Sequence, residues 1–143
     1  MSLQKGAKLI RLQFKYALLF LAWILASFGT LASLVSSEIY GFVPCQLCWL
    51  QRIALFPQTV ILGTACFYFD LKVVRYVLPL NLFGLAIASY QVLHLTPYFS
   101  KGCTSGCVPT YQGDLLFWVP ILSLINFILI SLFLFLARQE EKV

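Results

Sequence analysis

The 143-residue chain is 61% hydrophobic and only 10% charged, with a net charge of +5. Because soluble domains carry about 25% charged residues, this composition excludes an ordinary water-soluble domain and indicates a membrane protein. The positive net charge does not indicate nucleic-acid binding, since the basic residues stand singly between apolar runs, where they orient segments across a bilayer.

The first apolar segment, residues 16–35, carries no charge and follows a basic stretch that contains Lys5, Lys8, Arg11 and Lys15. A helix of this length crosses the ~30 Å hydrocarbon layer of a bilayer at a rise of ~1.5 Å per residue. The apolar core of a cleaved secretory signal is shorter, about 7–15 residues. We therefore interpret the segment as a retained first transmembrane helix, with signal cleavage as the alternative.

Three further segments are predicted to be membrane-spanning helices, and they cover residues 46–69, 73–93 and 115–137. The connection at residues 70–72 is so short that it joins the second and third helices as an antiparallel hairpin. Two other connections, residues 36–45 and 94–114, lie at the opposite end of the bundle. The whole chain is therefore predicted to be a single all-α membrane domain, a four-transmembrane-helix bundle.

The basic residues are distributed unevenly between the two ends of this predicted bundle. One end holds Lys5, Lys8, Arg11, Lys15, Lys72, Arg75, Arg138 and Lys142. The other end holds Lys101, with Arg52 just inside the second span. Since cytoplasmic loops carry the excess of Lys and Arg, we expect a multi-pass protein of the cell membrane with both termini in the cytoplasm and the loops at 36–45 and 94–114 outside.

Four of the five cysteines form two close pairs, Cys45 with Cys48 and Cys103 with Cys107, both in the predicted outward loops. Disulfides persist in oxidising extracytoplasmic compartments, so charge bias and cysteine spacing point to the same side of the membrane. Cys45 precedes the predicted second helix, and a thiol at a helix N-terminus or beside a cation reacts readily as the thiolate. Cys66 lies deep in the second span and is interpreted as a packing residue.

The two pairs admit several uses. If the pairs were structural disulfides, each would close a loop too short to stabilise the fold greatly. If the four cysteines bound zinc, we would expect two Cys-x-x-Cys units, whereas Cys103 and Cys107 are separated by three residues. A c-type haem would need a histidine directly after Cys48, where Trp49 stands. Because both pairs are predicted on one membrane face, we favour a thiol–disulfide relay to a lipid-soluble electron acceptor, without a metal.

Four residues near the outer ends of the second and third helices are candidates for binding an electron-accepting ring, namely Arg52, Trp49, His94 and Gln91. Arg52 follows Cys48 by one helical turn and would lie on the same helix face. A cation costs about 2.5–3.5 kcal/mol at the bilayer centre, which favours a functional role over simple snorkelling to the interface. For the other three, ring binding and ordinary capping or packing stay open as alternatives.

Two features resemble the DsbB family of membrane proteins for disulfide bond formation. The first is the motif PCQLCWLQR at residues 44–52, which opens the second of four spans. The second is the cysteine pair, Cys103 and Cys107, in the second outward loop. The chain looks most like the short BdbC-type members from Gram-positive bacteria, and the resemblance covers nearly its whole length.

The resemblance implies a thiol–disulfide oxidoreductase that reoxidises an extracytoplasmic DsbA- or BdbD-like partner of thioredoxin fold. Cys103 or Cys107 would form the mixed disulfide with that partner, and the family order favours Cys103. The electrons would pass to the Cys45–Cys48 disulfide, and Cys48 would deliver them to a membrane quinone beside Arg52. The expected quinone is menaquinone rather than ubiquinone.

The sequence departs from the family pattern in two places. The second cysteine pair is much closer in sequence than in the longer Gram-negative members. The family's third-helix histidine has no certain match, since either Gln91 or His94 can occupy its place.

Two other functions are compatible with the sequence. A relative of vitamin K epoxide reductase would share the bundle and the chemistry, but that family carries its Cys-x-x-Cys late in the chain and its loop pair earlier, the reverse of the order here. A non-enzymatic membrane subunit with structural cystines is the alternative from another class, and it predicts that all four cysteines can be replaced with only a loss of stability.

Overall fold

The computed structural model describes residues 2–41, 45–95 and 114–139, and the secondary-structure elements in this part of the chain are all helices. The helices are α1 (Ser2–Glu38), α2 (Gln46–Tyr68), a single 3-10 turn (Leu71–Val73), α3 (Val74–Leu95) and α4 (Asp114–Gln139). The all-α prediction is confirmed for the described residues, and the predicted apolar segments lie on these helices. Cys103, Cys107 and most of the predicted second outward loop lie outside the described residues.

Three of the described helical segments are long and apolar enough to cross a membrane, and they cover Gly6–Glu38, Leu71–His94 and Trp118–Gln139. Large apolar side chains face outward; Phe28, Leu31 and Val60, for example, expose 70%, 62% and 66% of their surface. Soluble monomers rarely expose extensive apolar patches. The outer surface therefore fits a lipid environment, and the chain is a multi-pass membrane protein.

The four helices pack as a ring in which α1 lies against α2 and α4, and α3 lies against α2 and α4. The centre of the ring is filled by Leu19, Ala22, Ala26, Leu55, Leu62, Val77, Phe127, Ile130 and Leu134. Small residues let the helices approach closely, as is typical of membrane bundles. A Cβ at Gly63 would lie 2.9 Å from Nε1 of Trp23, and one at Gly84 would collide with the ring of Phe127.

The connection between α2 and α3 is a tight turn, as the sequence predicts. Phe69 adopts a left-handed backbone (φ 53°), and its neighbour Asp70 accepts a hydrogen bond from the backbone N–H of Lys72 at 2.9 Å. Left-handed backbone is uncommon for a residue other than glycine, and here the Tyr16 hydroxyl donates to the Phe69 carbonyl at 3.0 Å. The turn is therefore tied to α1 at the level of Tyr16.

The N-terminal part of α1 extends beyond Tyr16, past the turn between α2 and α3. The residues before Tyr16 are helical from Ser2 onward, so at ~1.5 Å per residue this extension is about 20 Å long. Leu9, Ile10 and Phe14 on it are exposed. The basic stretch that the sequence places before the first span is thus a continuation of the same helix.

A buried cluster of polar side chains crosses the middle of the bundle, and we call Gln58, Asn81 and Ser131 the mid-bundle polar layer. Gln58 Nε2 donates to Asn81 Oδ1 at 2.9 Å, and Asn81 Nδ2 donates to Ser131 Oγ at 2.6 Å and to the Phe127 carbonyl at 3.1 Å. Gln58 and Asn81 are fully buried. Among the described residues, Gln58 Oε1 has no hydrogen-bond partner. The layer ties α2, α3 and α4 together in the absence of a hydrophobic driving force between helices.

Candidate functional site

Cys45 and Cys48 form a disulfide at the N-terminus of α2, with their Cα atoms 5.1 Å apart. Cys45 is the N-cap residue, with extended backbone (φ −68°, ψ 167°), and its Sγ accepts the backbone N–H of Cys48 at 3.3 Å. The first N–H groups of any helix lack partners within the helix, so the sulfur takes the place that a serine or aspartate oxygen usually fills. The predicted approach of the two cysteines across the helix start is therefore present in the structure.

The two sulfurs differ in their surroundings. The Cys45 side chain is buried, with 8% of its surface exposed, whereas Cys48 is only partly buried. Cys45 Sγ receives a backbone N–H directly from the helix end, which is the kind of donor that stabilises a thiolate. The pair therefore combines a buried sulfur at the helix N-terminus with a more accessible one a turn later.

A second cluster of polar side chains lies against this cystine, and we call Gln51, Gln91 and Ser123 the cystine-side polar layer. Gln91 Nε2 lies 3.4 Å from Cys45 Sγ and 3.5 Å from Cys48 Sγ. Gln51 Nε2 donates to Gln91 Oε1 at 2.6 Å, and Ser123 Oγ donates to Gln51 Oε1 at 2.7 Å. Gln91 and Gln51 are buried, with 3% and 8% exposed. The layer thus links α4, α2 and α3 in one line that ends on the two sulfurs.

Two members of this layer are not among the residues singled out from the sequence. Gln51 carries a usable signal, because it follows Cys48 by three residues and so lies on the same helix face. Ser123 carries none, since it is one serine in an apolar helix and its partner depends on how α4 is rotated against α2. Gln91, in contrast, is a candidate from the sequence and makes direct contact with the cystine.

Arg52 reaches toward α1. Its Nε donates to Ser33 Oγ and its Nη2 donates to the Ser33 carbonyl, both at 2.8 Å. The guanidinium carbon lies 5.4 Å from the centre of the Trp49 ring, within cation–π range. In the described part of the chain no hydrogen bond joins Arg52 to Cys48, so the expected help to the Cys48 thiolate stays a prediction.

The remaining candidates lie around the same end of the bundle. The buried His94 ring packs against Tyr90 with 4.3 Å between ring centres, at an interplanar angle of 65°. Trp49 is 54% exposed, and its ring lies beside the Arg52 guanidinium. Of the two third-helix candidates, Gln91 contacts the cystine and His94 contacts Tyr90. Binding of an electron-accepting ring by Gln91, His94 or Trp49 stays a prediction.

Cys66 lies at the other end of α2 and has no part in the cystine site. Eighteen residues separate it from Cys48, which is about 27 Å along a helix. Its half-buried thiol is free and packs against the core, in agreement with the packing interpretation. The second pair, Cys103 and Cys107, lies outside the described residues, so its role stays a prediction.

Comparison with known proteins gives a consistent result. A family model described as "Disulfide bond formation protein DsbB" matches residues 15–129. A "Disulfide bond formation protein C" of Bacillus subtilis is 41% identical over 140 residues, which cover 92% of this chain and 97% of the relative. A "Probable disulfide formation protein" of Deinococcus radiodurans is 40% identical over 139 residues, covering 87% and 91%. Another from Metapseudomonas resinovorans is 41% identical over 130 residues, covering 86% and 90%. No solved structure matches the chain.

Proposed function

This chain belongs to the DsbB family of disulfide bond formation proteins, and from that premise we propose that it is a quinone-coupled thiol–disulfide oxidoreductase. Its substrate is the reduced form of an extracytoplasmic thioredoxin-fold protein of the DsbA or BdbD kind. By reoxidising this partner, the chain supports disulfide formation in exported proteins. The relay comprises two cystines, Cys103–Cys107 and Cys45–Cys48.

Each step of the relay transfers two electrons. A thiolate of the partner attacks the Cys103–Cys107 disulfide, and resolution of the mixed disulfide leaves the partner oxidised and this pair reduced. The reduced pair then exchanges with the Cys45–Cys48 disulfide by the same chemistry. The Cys45–Cys48 dithiol returns to the cystine as two electrons and two protons pass to a membrane quinone, which serves as the electron sink.

The observation that carries the proposal is the location of the Cys45–Cys48 cystine. It sits at the N-terminus of α2, where a backbone N–H and the Gln91 amide both donate to sulfur. Donors of this kind favour the thiolate, which is the reactive form in exchange. A structural staple across three residues in sequence would add little to stability and would need no such donors.

The side chains beside the cystine fit a quinone. A quinone ring offers flat apolar faces and carbonyl oxygens that only accept hydrogen bonds. Arg52 engages Ser33 through Nε and Nη2, and within the described residues its Nη1 makes no hydrogen bond. The exposed face of Trp49 stands next to it. We propose that Arg52 and Trp49, with His94 and Gln91 on α3, hold menaquinone near Cys48.

The proposed topology has four spans, with both termini in the cytoplasm and both cystines outside. With its 23 residues, α2 is about 35 Å long and so reaches across the bilayer; its polar residues Gln51 and Gln58 are buried inside the bundle. The Tyr16–Phe69 bond marks one end of the bundle and the Ser33–Arg52 bonds lie toward the other. The basic residues near the first end support its placement in the cytoplasm.

The proposal is tested by quinone reduction in purified protein. The full chain in lipid nanodiscs with menaquinone receives a reduced thioredoxin-fold partner, and quinone absorbance is followed. Cys48→Ser is expected to abolish the reaction, because no electrons reach the quinone without the second cystine. Cys66→Ser, a cysteine at the other end of α2, is the matched control and is expected to keep the wild-type rate. A Cys48→Ser protein that reduces quinone normally would refute the relay.

A separate experiment tests on which side of the membrane the two cysteine pairs lie. In intact cells, a membrane-impermeant maleimide applied after mild reduction is expected to label Cys48, the more accessible member of its pair, together with Cys103 and Cys107, but not Cys66. Labelling of either pair only after the cells are broken would place that pair in the cytoplasm and contradict the proposed sidedness.

A further inference from the structure

The cystine-side polar layer is a chain of hydrogen bonds with a single direction. The Ser123 hydroxyl donates to Gln51 Oε1, the Gln51 amide donates to Gln91 Oε1, and the Gln91 amide donates to the sulfurs. All the bonds therefore point their hydrogens toward the cystine. Neither amide can be reversed alone, because the two NH₂ groups, or the two carbonyl oxygens, would then face each other.

The sulfurs select this direction. If both amides were reversed together, Gln91 would present its carbonyl oxygen to Cys45 Sγ and Cys48 Sγ. A cystine sulfur carries no hydrogen, so that buried oxygen would lose its bond, which costs about 1–3 kcal/mol. A thiolate likewise only accepts hydrogen bonds, so it also requires the N–H of Gln91 to face the sulfurs. The orientation that the cystine favours is thus the one that also serves the reduced, ionised pair.

Reduction strengthens the last bond of the chain. A hydrogen bond to an ionised acceptor is roughly twice as strong as one between neutral groups, so the Gln91 amide stabilises a thiolate more than it stabilises the cystine. Gln91 Nε2 lies at nearly equal distances from both sulfurs, 3.4 Å and 3.5 Å. The amide is therefore in reach of whichever sulfur holds the charge. Because an amide does not titrate, the donor is present at every physiological pH.

We propose that Gln51 and Ser123 are positioning residues that hold the Gln91 N–H on the Cys45–Cys48 pair and so stabilise its reduced thiolate form. Stabilising the reduced form makes the pair a stronger oxidant, which favours the transfer of electrons into it from the reduced Cys103/Cys107 pair. The inference deepens the proposed function, since it takes this pair as redox-active, but it concerns the sulfurs alone and needs neither quinone nor partner.

The test measures the dithiol–cystine equilibrium of the pair in full-length protein. Protein in quinone-free nanodiscs is equilibrated with graded ratios of reduced and oxidised dithiothreitol, and the state of Cys45 and Cys48 is read by peptide-resolved alkylation. Gln91→Leu is expected to shift the equilibrium toward the cystine about tenfold, which is about 30 mV for a two-electron couple. Gln51→Leu and Ser123→Ala are expected to shift it in the same direction, by about threefold, a smaller loss because the Gln91 amide then remains but is less well oriented.

The chain supplies a matched control in Gln58→Leu. Gln58 is also a buried glutamine of α2 bonded to a side-chain amide of α3, but its partner is Asn81 and not a residue beside sulfur. This variant is expected to leave the equilibrium unchanged within twofold. If Gln91→Leu left the equilibrium unchanged, or Gln58→Leu shifted it equally, the inference would be overturned.

A second substitution guards against loss of packing. Gln91→Met keeps the length and nearly the volume of the side chain but has no N–H donor, so it is expected to shift the equilibrium toward the cystine about as far as Gln91→Leu. The pH profile of Cys48 alkylation in the reduced protein is expected to move to higher pH in both variants, which a purely structural role would not produce. A wild-type profile in Gln91→Met would contradict the proposal even if quinone reduction were intact. Conversely, if the wild-type protein failed to reduce quinone while the variants showed these shifts, the quinone coupling alone would be refuted.

Discussion

The cystine-side polar layer and the mid-bundle polar layer are built from the same parts. Each joins one residue from α2, one from α3 and one from α4, and in each a glutamine of α2 donates to a side-chain amide of α3 at 2.6 Å or 2.9 Å. The two glutamines, Gln51 and Gln58, lie seven residues apart, about 10 Å along the helix. The layers are thus two turns apart on the same three helices.

They differ in where their hydrogen bonds end. The mid-bundle polar layer ends on a serine hydroxyl and a backbone carbonyl, and one carbonyl oxygen of Gln58 stays without a partner among the described residues. The cystine-side polar layer ends on the two sulfurs of the Cys45–Cys48 cystine, which change charge during turnover in the proposed relay. The same arrangement of amides therefore holds helices together in one layer, and in the other it presents a hydrogen-bond donor to a cystine.

The largest effect on stability is expected for Asn81→Leu in the mid-bundle polar layer. The substitution removes one acceptor and two donated bonds, and it leaves the Gln58 amide buried without its partner. Because hydrogen bonds inside membranes are worth about 0.6 kcal/mol on average and a buried unpaired group costs about 1–3 kcal/mol, we expect a loss of about 2 kcal/mol. Unfolding by SDS titration in mixed micelles measures it.

The same protein tests whether the two layers are separate. Asn81→Leu is expected to leave the equilibrium of the Cys45–Cys48 pair unchanged. A shift as large as that of Gln91→Leu would show that the layers act as one network, and the division of roles between them would be wrong.

A somewhat smaller loss is expected for Gly84→Ala, which tests the packing around the mid-bundle polar layer. The added methyl would collide with the ring of Phe127, which exposes only 1% of its surface. Overpacking typically costs about 1–3 kcal/mol, and replacing a helical glycine with alanine returns about 1 kcal/mol. The net loss is therefore expected to be about 1 kcal/mol by SDS titration; a stabilised variant would show that the Phe127 ring moves aside freely.

The sequence alone predicts the helices and the cystine, but not the side-chain contacts between the helices. The apolar runs predict the helices, and the motif around Cys45 and Cys48 predicts the cystine, because both depend on neighbours in the chain. The pairing of Gln51 with Gln91 and Ser123 depends on how three helices are rotated about their axes, and a single sequence does not determine those angles. The helical extension before Tyr16 is also missed, since a basic stretch outside an apolar span carries no periodic signal.

The two polar layers can be compared with little change in packing by replacing one serine in each layer with alanine. Ser131→Ala and Ser123→Ala each remove one hydroxyl from α4 that bonds to an amide, so each is expected to cost about 0.6 kcal/mol of stability. The redox equilibrium is expected to change only in Ser123→Ala. Equal equilibria in the two variants would show that the hydroxyl at Ser123 does not help to orient the Gln91 amide.

The smallest effect is expected for Gln58→Leu. Within the described residues, Gln58 Oε1 accepts no hydrogen bond in the native protein. In the variant that oxygen is gone, but Asn81 Oδ1 loses the N–H it accepts. One buried unpaired acceptor thus replaces another, and the lost hydrogen bond is offset by the apolar side chain in a bundle core. Stability is expected to change by less than about 0.5 kcal/mol in SDS titration. A loss of several times that size would mean that Gln58 Oε1 is satisfied in the membrane by a bound water, and Gln58→Met, an amide-free side chain of similar volume, would then show the same loss.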